Sequence, residues 1–282
     1  MTMTLDDILE SPRTGKPVVM GILNVTPDSF SDGGEFFDSA AAAYQARRLV
    51  DEGADIIDVG AESTRPGSER VSADEQIARL GEVLPAAVAC GVPVSIDTTL
   101  SPVARFALNA GATVLNDISA GRDDPAMLDL AAERKAPIVL MHMLGRPKTM
   151  QAQPRYDNVV AEVREFLAAR ADAAIAAGVA KKRIIVDPGI GFGKTLEHNL
   201  ALLAGTGEIA SLGYGVLIGA SRKRFIGELT GQDDPHNRSA GTVAACLAAL
   251  ARGATMFRVH DVRPLRDALA VAEAIHNAKP KP

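Results

Sequence analysis

Short apolar runs alternate with longer amphipathic stretches along most of the 282 residues. Eight of the runs are rich in Val and Ile and nearly continuously hydrophobic, which is typical of parallel strands buried on both faces. They are VVMGIL near residue 18, DIIDVG near 55, VPVSID near 92, ATVLND near 112, PIVLMH near 137, RIIVDPG near 183, GVLIGAS near 215 and ATMFRVHD near 254. The pattern therefore predicts alternating strands and helices.

Helix start signals lie between these runs. Ser72 and Glu75 form a Ser-x-x-Glu capping box, and Ser101 with Pro102 offers an N-cap and a first-turn proline. Eight strand-helix units predict a parallel sheet, and that number favours closure into a (β/α)8 TIM barrel over an open sheet. We expect a single-domain α/β barrel over residues 18–277, an extension at 1–17 packing on or near it, and a tail at 278–282.

Composition and charge narrow the class of protein. The 47% hydrophobic and 23% charged fractions are those of an ordinary globular protein with a large core. The net charge of -5, from 30 basic and 35 acidic residues without long runs of one sign, argues against a nucleic-acid partner. Acidic residues stand where a secretion signal needs basic ones, and no window approaches the roughly 18 apolar residues of a membrane span. We therefore expect a cytoplasmic protein without a membrane partner.

Polar side chains occur where each of the eight runs ends. In (β/α)8 barrels the active site lies on the loops at the carboxyl ends of the strands. Any one such residue is more readily explained by solubility, but all eight positions together would line one polar pocket. The strand-end residues are Asn24, Asp58 with Glu62, Asp97, Asn116 with Asp117, Met141 with His142, Asp187, Ser221 with Arg222 and Lys223, and Arg258 with His260.

Two loops exceed the usual two to six residues of a strand-to-helix connection. The first spans about residues 24–37 and the second residues 61–71. Long loops in compact domains are usually lids or binding loops, although two solvated surface loops would have the same composition. Their polar residues include Asp28, Ser29 and Ser31 in the first loop and Thr64, Arg65 and Ser68 in the second.

Two carboxylates end strands in the phrases SIDTT and VDPGIGFGK. A fixed carboxylate such as Asp97 or Asp187 can accept two parallel hydrogen bonds from a planar N-C-N donor pair, as on a 2-aminopyrimidinone or a guanidinium. Each could instead simply cap the following helix. The three glycines after Asp187 would allow a flat ligand to approach the backbone beside Phe192, although this glycine pattern alone is weak.

The segments SRK and RVHDV follow the seventh and eighth runs, where barrels often bind a phosphate. Arg258 suits both stacking on an aromatic ring and pairing with oxyanions, and the helix that begins near Asp261 would add its dipole. His260 alone is more typical of a hydrogen-bonding structural residue than of an acid or base.

Two other chemistries are less well supported. A metal hydrolase would need ligands such as His142, His260, Asp97 and Asp187, yet no His-x-His, His-x-x-x-His or Cys cluster occurs. A hard cation held partly by Asn24 and by substrate oxygens is easier to accept. A Schiff-base aldolase could use Lys223, but its place after a strand and between two arginines suits hydrogen bonding to a carbonyl.

Eight segments resemble, in order, the signature segments of the dihydropteroate synthase family. They are MGILNVTPDSFSDGG, DVGAESTRPGS, SIDTT, LNDISAG, LMHMLGRPKTMQ, DPGIGFGK, IGASRK and FRVHDV, which cover residues 20–262, and the first two are highly specific. The family condenses 6-hydroxymethyl-7,8-dihydropterin pyrophosphate with p-aminobenzoate to give 7,8-dihydropteroate and pyrophosphate. The resemblance implies this transferase activity, a magnesium cofactor, competition by sulfonamides and a homodimer.

The resemblance also implies roles for individual residues. Asp97, Lys223, Asp28 and Ser29 would be catalytic. The pterin would contact Asp97, Asn116, Asp187 and Lys223 at its edge, and Met141, Phe192 and Arg258 at its faces. Thr64, Arg65, Pro66 and Ser221 would form the p-aminobenzoate subsite. Arg258, His260, Asn24 and Arg65 would bind pyrophosphate, with Asn24 also on magnesium.

The implied reaction needs no protein nucleophile. The leaving-group bond would largely break first, and both long loops would close over the cationic pterin to exclude water. A methyltetrahydrofolate methyltransferase would share the pterin-edge residues but would have no use for Thr64, Arg65 and Pro66 or the long first loop. A non-catalytic pterin-binding paralogue is the other alternative.

Overall fold

The protein is a closed barrel of eight parallel strands. The computed structural model describes residues 4–25, 39–63, 68–145 and 148–278. Each strand pairs with its neighbours in sequence order, and β1 pairs with β8 to close the barrel. The strands are β1 (Val18–Asn24), β2 (Ile56–Gly60), β3 (Val94–Asp97), β4 (Val114–Asp117), β5 (Ile138–Met141), β6 (Ile184–Asp187), β7 (Gly215–Ile218) and β8 (Met256–Val259).

Among the described residues, one helix precedes β1, one follows β8, and the others connect successive strands. The helices are α1 (Leu5–Thr14), α2 (Ser39–Asp51), α3 (Ala73–Val88), α4 (Ser101–Asn109), α5 (Ala126–Arg134), α6 (Val159–Ala176), α7 (Leu196–Ala204), α8 (Thr206–Ala210), α9 (Arg224–Thr230), α10 (Ser239–Leu250) and α11 (Val262–Asn277). Within the described ranges, none of them combines the length and apolarity that crossing a membrane requires. The predicted single-domain (β/α)8 barrel is confirmed, while the exact domain boundaries stay predictions.

The continuous hydrophobicity of the strands reflects burial on both of their faces. One set of side chains packs outward against the helices in a large core that includes Val19, Ile57 and Ile96. The other set fills the barrel interior, and there Ile8 of α1 joins Met20 and neighbouring strand residues. Because Ile8 is only 2% exposed, α1 packs against the barrel's interior cluster.

Two predicted helix starts differ in detail from the structure. Ser72 caps α3 by accepting a hydrogen bond from the Glu75 N–H at 3.3 Å, but the Glu75 carboxylate pairs with Arg79, so the reciprocal half of the box is not among the bonds described. The prediction that Ser101 caps α4 was wrong. Ser101 is the first helical residue, and its N–H donates to Asp124 Oδ2 at 2.8 Å. A residue 23 positions away therefore supplies the cap.

The helix α10 carries the apolar segment AGTVAACLAALA, whose pattern would suit either a dimer surface or a helix that covers the barrel. Thr242, Ala245, Cys246 and Ala249 on this helix are buried within the single chain. A barrel-covering role accounts for those residues without a second subunit. The homodimer stays a prediction.

Candidate active site

Four polar side chains from four strands meet at the carboxyl end of the barrel. Arg258 of β8 donates from Nε to Asp58 Oδ2 at 2.6 Å and from Nη2 to Asp97 Oδ2 at 2.8 Å. Asn116 of β4 donates from Nδ2 to the same Asp58 oxygen at 3.0 Å. Barrel closure makes these contacts, since Arg258 and Asp58 are 200 positions apart in the sequence. The guanidinium is thereby held across two carboxylates in a fixed plane.

Asp97 is the more accessible carboxylate of this group, although only 8% of its surface is exposed. Burial raises its pKa to about 7, the Arg258 cation opposes that rise, and the Asp58 charge adds to it. Near neutral pH both the protonated and the ionised forms of this carboxyl group are therefore populated. A cationic or hydrogen-donating ligand at this point would favour the ionised form.

Asp187 ends β6 and is held by the backbone that follows it. Its Oδ1 accepts a hydrogen bond from the Gly189 N–H at 2.7 Å, and the residue is 5% exposed. Burial raises the pKa of Asp187 to about 6, against the lowering effect of this hydrogen bond and of the Lys223 cation. This hydrogen bond fixes the plane of the carboxylate, which orients its two oxygens toward an N-C-N donor edge.

The glycines after Asp187 allow close contacts that other residues would prevent. Gly189 has φ +69°, and a Cβ there would lie 1.9 Å from the carbonyl oxygen of His142. Gly191 has φ +84°, and its Cβ would lie 2.8 Å from Lys223 Cδ. Both positions need a positive φ and have no room for a side chain. The two glycines therefore let the turn pack closely against the end of β5 and against Lys223.

Lys223 lies over the aromatic ring that this turn carries. Its Nζ is 4.0 Å from the centroid of Phe192, a cation–π distance. Burial, followed by the Arg258 cation, lowers the pKa of Lys223 to about 8, while Asp187 and Asp97 oppose the shift. Lys223 therefore remains mainly protonated at neutral pH and can donate hydrogen bonds to a carbonyl or ring nitrogen.

An apolar cluster lies beside these polar groups. It consists of Ile118, Met141, Met143, Met150 and Phe192, all buried. Methionine and phenylalanine side chains contact flat aromatic rings favourably and adapt to their shape. The mouth therefore combines a flat apolar surface with charged hydrogen-bonding groups at its edge.

Strands β7 and β8 are joined at the same end by Ser221 and His260. The Ser221 hydroxyl is 3.0 Å from His260 Nδ1 and accepts from the His260 N–H at 3.1 Å. Beside them, Arg222 forms a two-point ion pair with Asp261, the N-cap residue of α11. The Asp261 side chain thus pairs with Arg222 and does not cap its helix. The pyrophosphate roles of His260 and Arg258 stay predictions.

The donor set for a magnesium ion is sparse. In the part of the chain that the structure describes, no three His, Cys, Asp or Glu side chains are grouped so that they could hold a metal. Asn24 ends β1 and offers a half-buried amide oxygen, which is a hard ligand. Magnesium usually keeps several waters and phosphate oxygens, so one protein oxygen fits an ion carried mainly by a pyrophosphate. The magnesium-binding role of Asn24 stays a prediction.

Three buried polar residues have no substrate contact among the roles that the resemblance implies, namely Asp58, His142 and Lys194. Asp58 is central to the cluster, and Lys194 donates to the Phe192 carbonyl at 2.9 Å while its Nζ lies 3.1 Å from His142 Nδ1. Burial, then the charge of Lys194, lowers the pKa of His142 to about 3, which leaves a neutral imidazole. His142 thus helps to hold the glycine-rich turn. In the sequence, the feature that points to Lys194 is its position directly after three alternating glycines.

Some predicted site residues lie outside the described residues. These are Asp28 and Ser29 in the first long loop and Thr64, Arg65 and Pro66 in the second. Their roles, and the expected closure of both loops, stay predictions. The described candidates Asn24, Asp97, Asn116, Met141, Asp187, Phe192, Ser221, Lys223, Arg258 and His260 all lie on strand ends or adjoining turns at one end of the barrel.

Comparison with known proteins agrees with this geometry. The family model described as pterin binding enzyme matches residues 20–260. A dihydropteroate synthase of Synechocystis sp. is 49% identical over 258 residues, covering 91% of this chain and 89% of the relative.

Solved structures give the same result. The Xanthomonas albilineans dihydropteroate synthase with 4-aminobenzoic acid has a TM-score of 0.88 and 48% identity, covering 94% of each chain. The same organism's enzyme in complex with 7,8-dihydropteroate has a TM-score of 0.85 and 46% identity, covering 94% of this chain and 95% of that one. Both the family model and these relatives match nearly the whole barrel, and the chain therefore belongs to the dihydropteroate synthase family of pterin-binding enzymes.

Proposed function

We propose that this protein condenses 6-hydroxymethyl-7,8-dihydropterin pyrophosphate with p-aminobenzoate to give 7,8-dihydropteroate and pyrophosphate. The observation that carries the proposal is the buried Asp187 carboxylate, fixed by the Gly189 N–H beside the Phe192 ring and the Lys223 ammonium. A 2-aminopyrimidinone edge offers the two parallel N–H donors that such a carboxylate accepts. Family membership and the relatives' ligands agree with this substrate class.

The pterin ring would occupy the space between the apolar cluster and the Arg258 guanidinium. Asp187 accepts from the N-C-N edge, and Lys223 donates to the opposite polar atoms of the ring. Met141 and Phe192 supply apolar contact, and Arg258 supplies a planar cation on the other face. Asp97 and Asn116 complete the edge contacts, and the Asp97 carboxylate offsets positive charge that develops on the ring.

The chemistry is a displacement at the exocyclic methylene carbon. The bond from that carbon to the pyrophosphate oxygen breaks, and its electron pair leaves with the oxygen. The amine nitrogen of p-aminobenzoate forms the new bond to carbon and then loses a proton. The anionic groups around the ring stabilise the cationic carbon, and the cations Arg258 and Lys223 favour departure of the negative leaving group.

The pyrophosphate would lie near the ends of β1 and β8. Asn24 would hold a magnesium ion there, and the bound ion would neutralise charge on the departing pyrophosphate oxygens. His260 and Arg258 would contribute further hydrogen bonds to the anion. With Arg65, these residues form the proposed pyrophosphate subsite.

The second substrate would bind next to Ser221. Its hydroxyl is fixed by His260 and stands at the end of β7, where a carboxylate or its sulfonamide mimic can accept a hydrogen bond. Thr64, Arg65 and Pro66 are proposed to complete this subsite. Sulfonamides are therefore proposed to raise the apparent KM for p-aminobenzoate without altering the affinity for the pterin.

Turnover by the purified protein tests the proposal. Dihydropteroate is followed by chromatography and pyrophosphate by a coupled pyrophosphatase, with and without magnesium and with p-aminobenzoate omitted as the control. We expect equal amounts of the two products, dependent on both magnesium and p-aminobenzoate. Pterin binding without any dihydropteroate would contradict the proposal and would favour a non-catalytic paralogue or a methyl-transfer enzyme.

A further inference from the structure

Asp58 of β2 is a fully buried carboxylate in the polar cluster. Its exposure is 0%, whereas Asp97 and Asn116 are 8% and 4% exposed. Its Oδ2 accepts hydrogen bonds from both Arg258 Nε and Asn116 Nδ2. Its Oδ1 has no hydrogen-bond partner among the described residues. Asp58 is thus shielded from the mouth and touches the ligand-facing residues from behind.

Retaining a carboxylate at such a position is costly. An ion pair buried in a protein core is often replaceable by apolar residues without loss of stability, because desolvation offsets the attraction. An unpartnered buried oxygen adds to that cost. Stability alone therefore does not explain an aspartate at position 58, and its two partners indicate what it does.

The contact with Asn116 fixes the orientation of the amide. Because an ionised carboxylate only accepts hydrogen bonds, the amide group facing Asp58 has to be the NH2 group. The Oδ1 of Asn116 and the second N–H remain for another partner. A rotated amide would bring two acceptors together at 3.0 Å and would reverse the pattern offered to a ligand.

The contact with Arg258 fixes the plane of the guanidinium. Nε lies closest to the side-chain stem and is held by Asp58, while Nη2 is held by Asp97. Two anchors on different strands prevent rotation of the guanidinium about its stem. If the Nη2 bond to Asp97 exchanges for a ligand, the Nε bond still holds the plane.

We propose that Asp58 is a positioning residue of the pterin pocket, which sets the amide orientation of Asn116 and the guanidinium plane of Arg258 without touching the substrate. This inference rests on the proposed function for the identity of the ligand. Substitution of Asp58 should therefore weaken binding of the pterin even in the absence of p-aminobenzoate.

The test compares Asp58→Asn with a matched control at the other end of the same strand region. Asp55 is also buried, and its Oδ2 accepts from the Val19 N–H at 2.8 Å and from Arg266. Asp55→Asn therefore removes a similar buried ion pair far from the mouth. We expect both variants to lose thermal stability, but only Asp58→Asn to raise the calorimetric Kd for the pterin pyrophosphate, by about tenfold or more. An unchanged Kd in Asp58→Asn, or an equal rise in the control, overturns the proposal.

Steady-state kinetics should likewise show an effect of Asp58→Asn on the pterin and not on p-aminobenzoate. At saturating pterin pyrophosphate, the KM for p-aminobenzoate should stay within about threefold of the parent, because Asp58 acts on the pterin contacts. If Asp58→Asn folds poorly, Asp58→Ser is measured instead. Its shorter side chain leaves room for a water that can accept from Arg258 Nε and Asn116 Nδ2. A KM for p-aminobenzoate that rises as much as the pterin Kd contradicts a positioning role in the pterin pocket.

A double-mutant cycle identifies the route of the effect. If Asp58 acts partly through Arg258, Asp58→Asn should raise the Kd less in an Arg258→Met background than in the parent. A full and undiminished effect in that background would contradict the proposal.

The pH dependence of pterin binding gives a second readout. Asp97 faces Arg258, Asp58, Glu62 and Asp117, and it also interacts with Lys223.

Removing the Asp58 charge lowers the pKa of Asp97, since two like charges oppose each other's ionisation. The acidic pH at which pterin affinity declines should therefore move lower in Asp58→Asn. A purely structural defect would reduce affinity equally at all pH values. Pterin binding without turnover in the parent would defeat the condensation proposal alone, whereas a parent that binds no pterin would overturn both.

Discussion

The substitution Asp187→Asn tests the recognition of the pterin edge. Asparagine has nearly the same shape, and its amide oxygen can still accept the Gly189 N–H that lies 2.7 Å from Asp187 Oδ1. The remaining NH2 group then faces the N–H donors of the ligand. Each hydrogen bond to a charged group contributes about 1.5–3 kcal/mol. The NH2 group removes one of the two bonds and sets a donor against a donor, and the other bond loses its charged acceptor, so the change costs about 3 kcal/mol, which corresponds to roughly a hundredfold rise in Kd.

Stability provides the internal control for this variant. Burial raises the pKa of Asp187 from 3.8 to about 6, so the folded state binds this proton more tightly than the unfolded state. The contribution of this group to stability therefore falls as pH rises from about 4 to 6. At about 1.36 kcal/mol per pKa unit, the ionised folded form is destabilised by roughly 3 kcal/mol. Asparagine does not ionise, so the variant should be at least as stable as the parent at pH 8.

Calorimetry of the pterin pyrophosphate at pH 8, with thermal unfolding in the same buffer, measures both quantities. We expect a Kd about a hundredfold higher and an equal or higher Tm. In the parent, affinity should also decline below pH 6 as Asp187 protonates, and the variant should lack this part of the decline. A Kd within threefold of the parent, in a folded variant, would refute the assigned role of Asp187.

Three other substitutions test the surroundings of Asp187. Gly189→Ala should lower the Tm by many degrees because its Cβ would lie 1.9 Å from a carbonyl oxygen. The control Gly91→Ala, at φ +79° in open space, should lower the free energy of unfolding by only about 1 kcal/mol. Equal effects of the two substitutions would contradict the packing argument. Phe192→Ala should raise the pterin Kd by about tenfold and leave the KM for p-aminobenzoate within threefold, and a change confined to that KM would be inconsistent with ring contact. Burial lowers the pKa of Lys194 from 10.5 to about 7, so the free energy of unfolding of the parent should increase as pH rises from 7 to 10. Lys194→Met should flatten that increase, measured by urea unfolding. An unchanged dependence of stability on pH in the variant would contradict this assignment.

The sequence was sufficient to predict the fold because each strand combines short length with burial on both faces. Asp187 was also identifiable, since it ends such a strand and is followed by alternating glycines. Asp58 was visible as a strand-end residue, but its contacts were not. Its bond to Arg258 depends on barrel closure, which brings together residues 200 positions apart in the sequence. Its bond to Asn116 depends on the pairing of β2, β3 and β4.

Local helix signals were less reliable than the strand pattern. Ser101 was expected to cap α4, yet the structure begins the helix there and obtains the cap from Asp124. The Ser72 hydroxyl behaved as expected, while Glu75 pairs with Arg79. In these cases a tertiary or neighbouring partner competes with the local motif, and the sequence pattern does not rank the two.

The polar cluster at the carboxyl end of the barrel is proposed to hold the pterin through Asp187. A crystal structure of the protein with the pterin pyrophosphate measures this most directly. We predict two hydrogen bonds from the N-C-N edge to Asp187 within about 3.2 Å, with Phe192 and Arg258 on opposite faces of the ring. A pterin bound elsewhere, or with that edge turned away from Asp187, would contradict the claim.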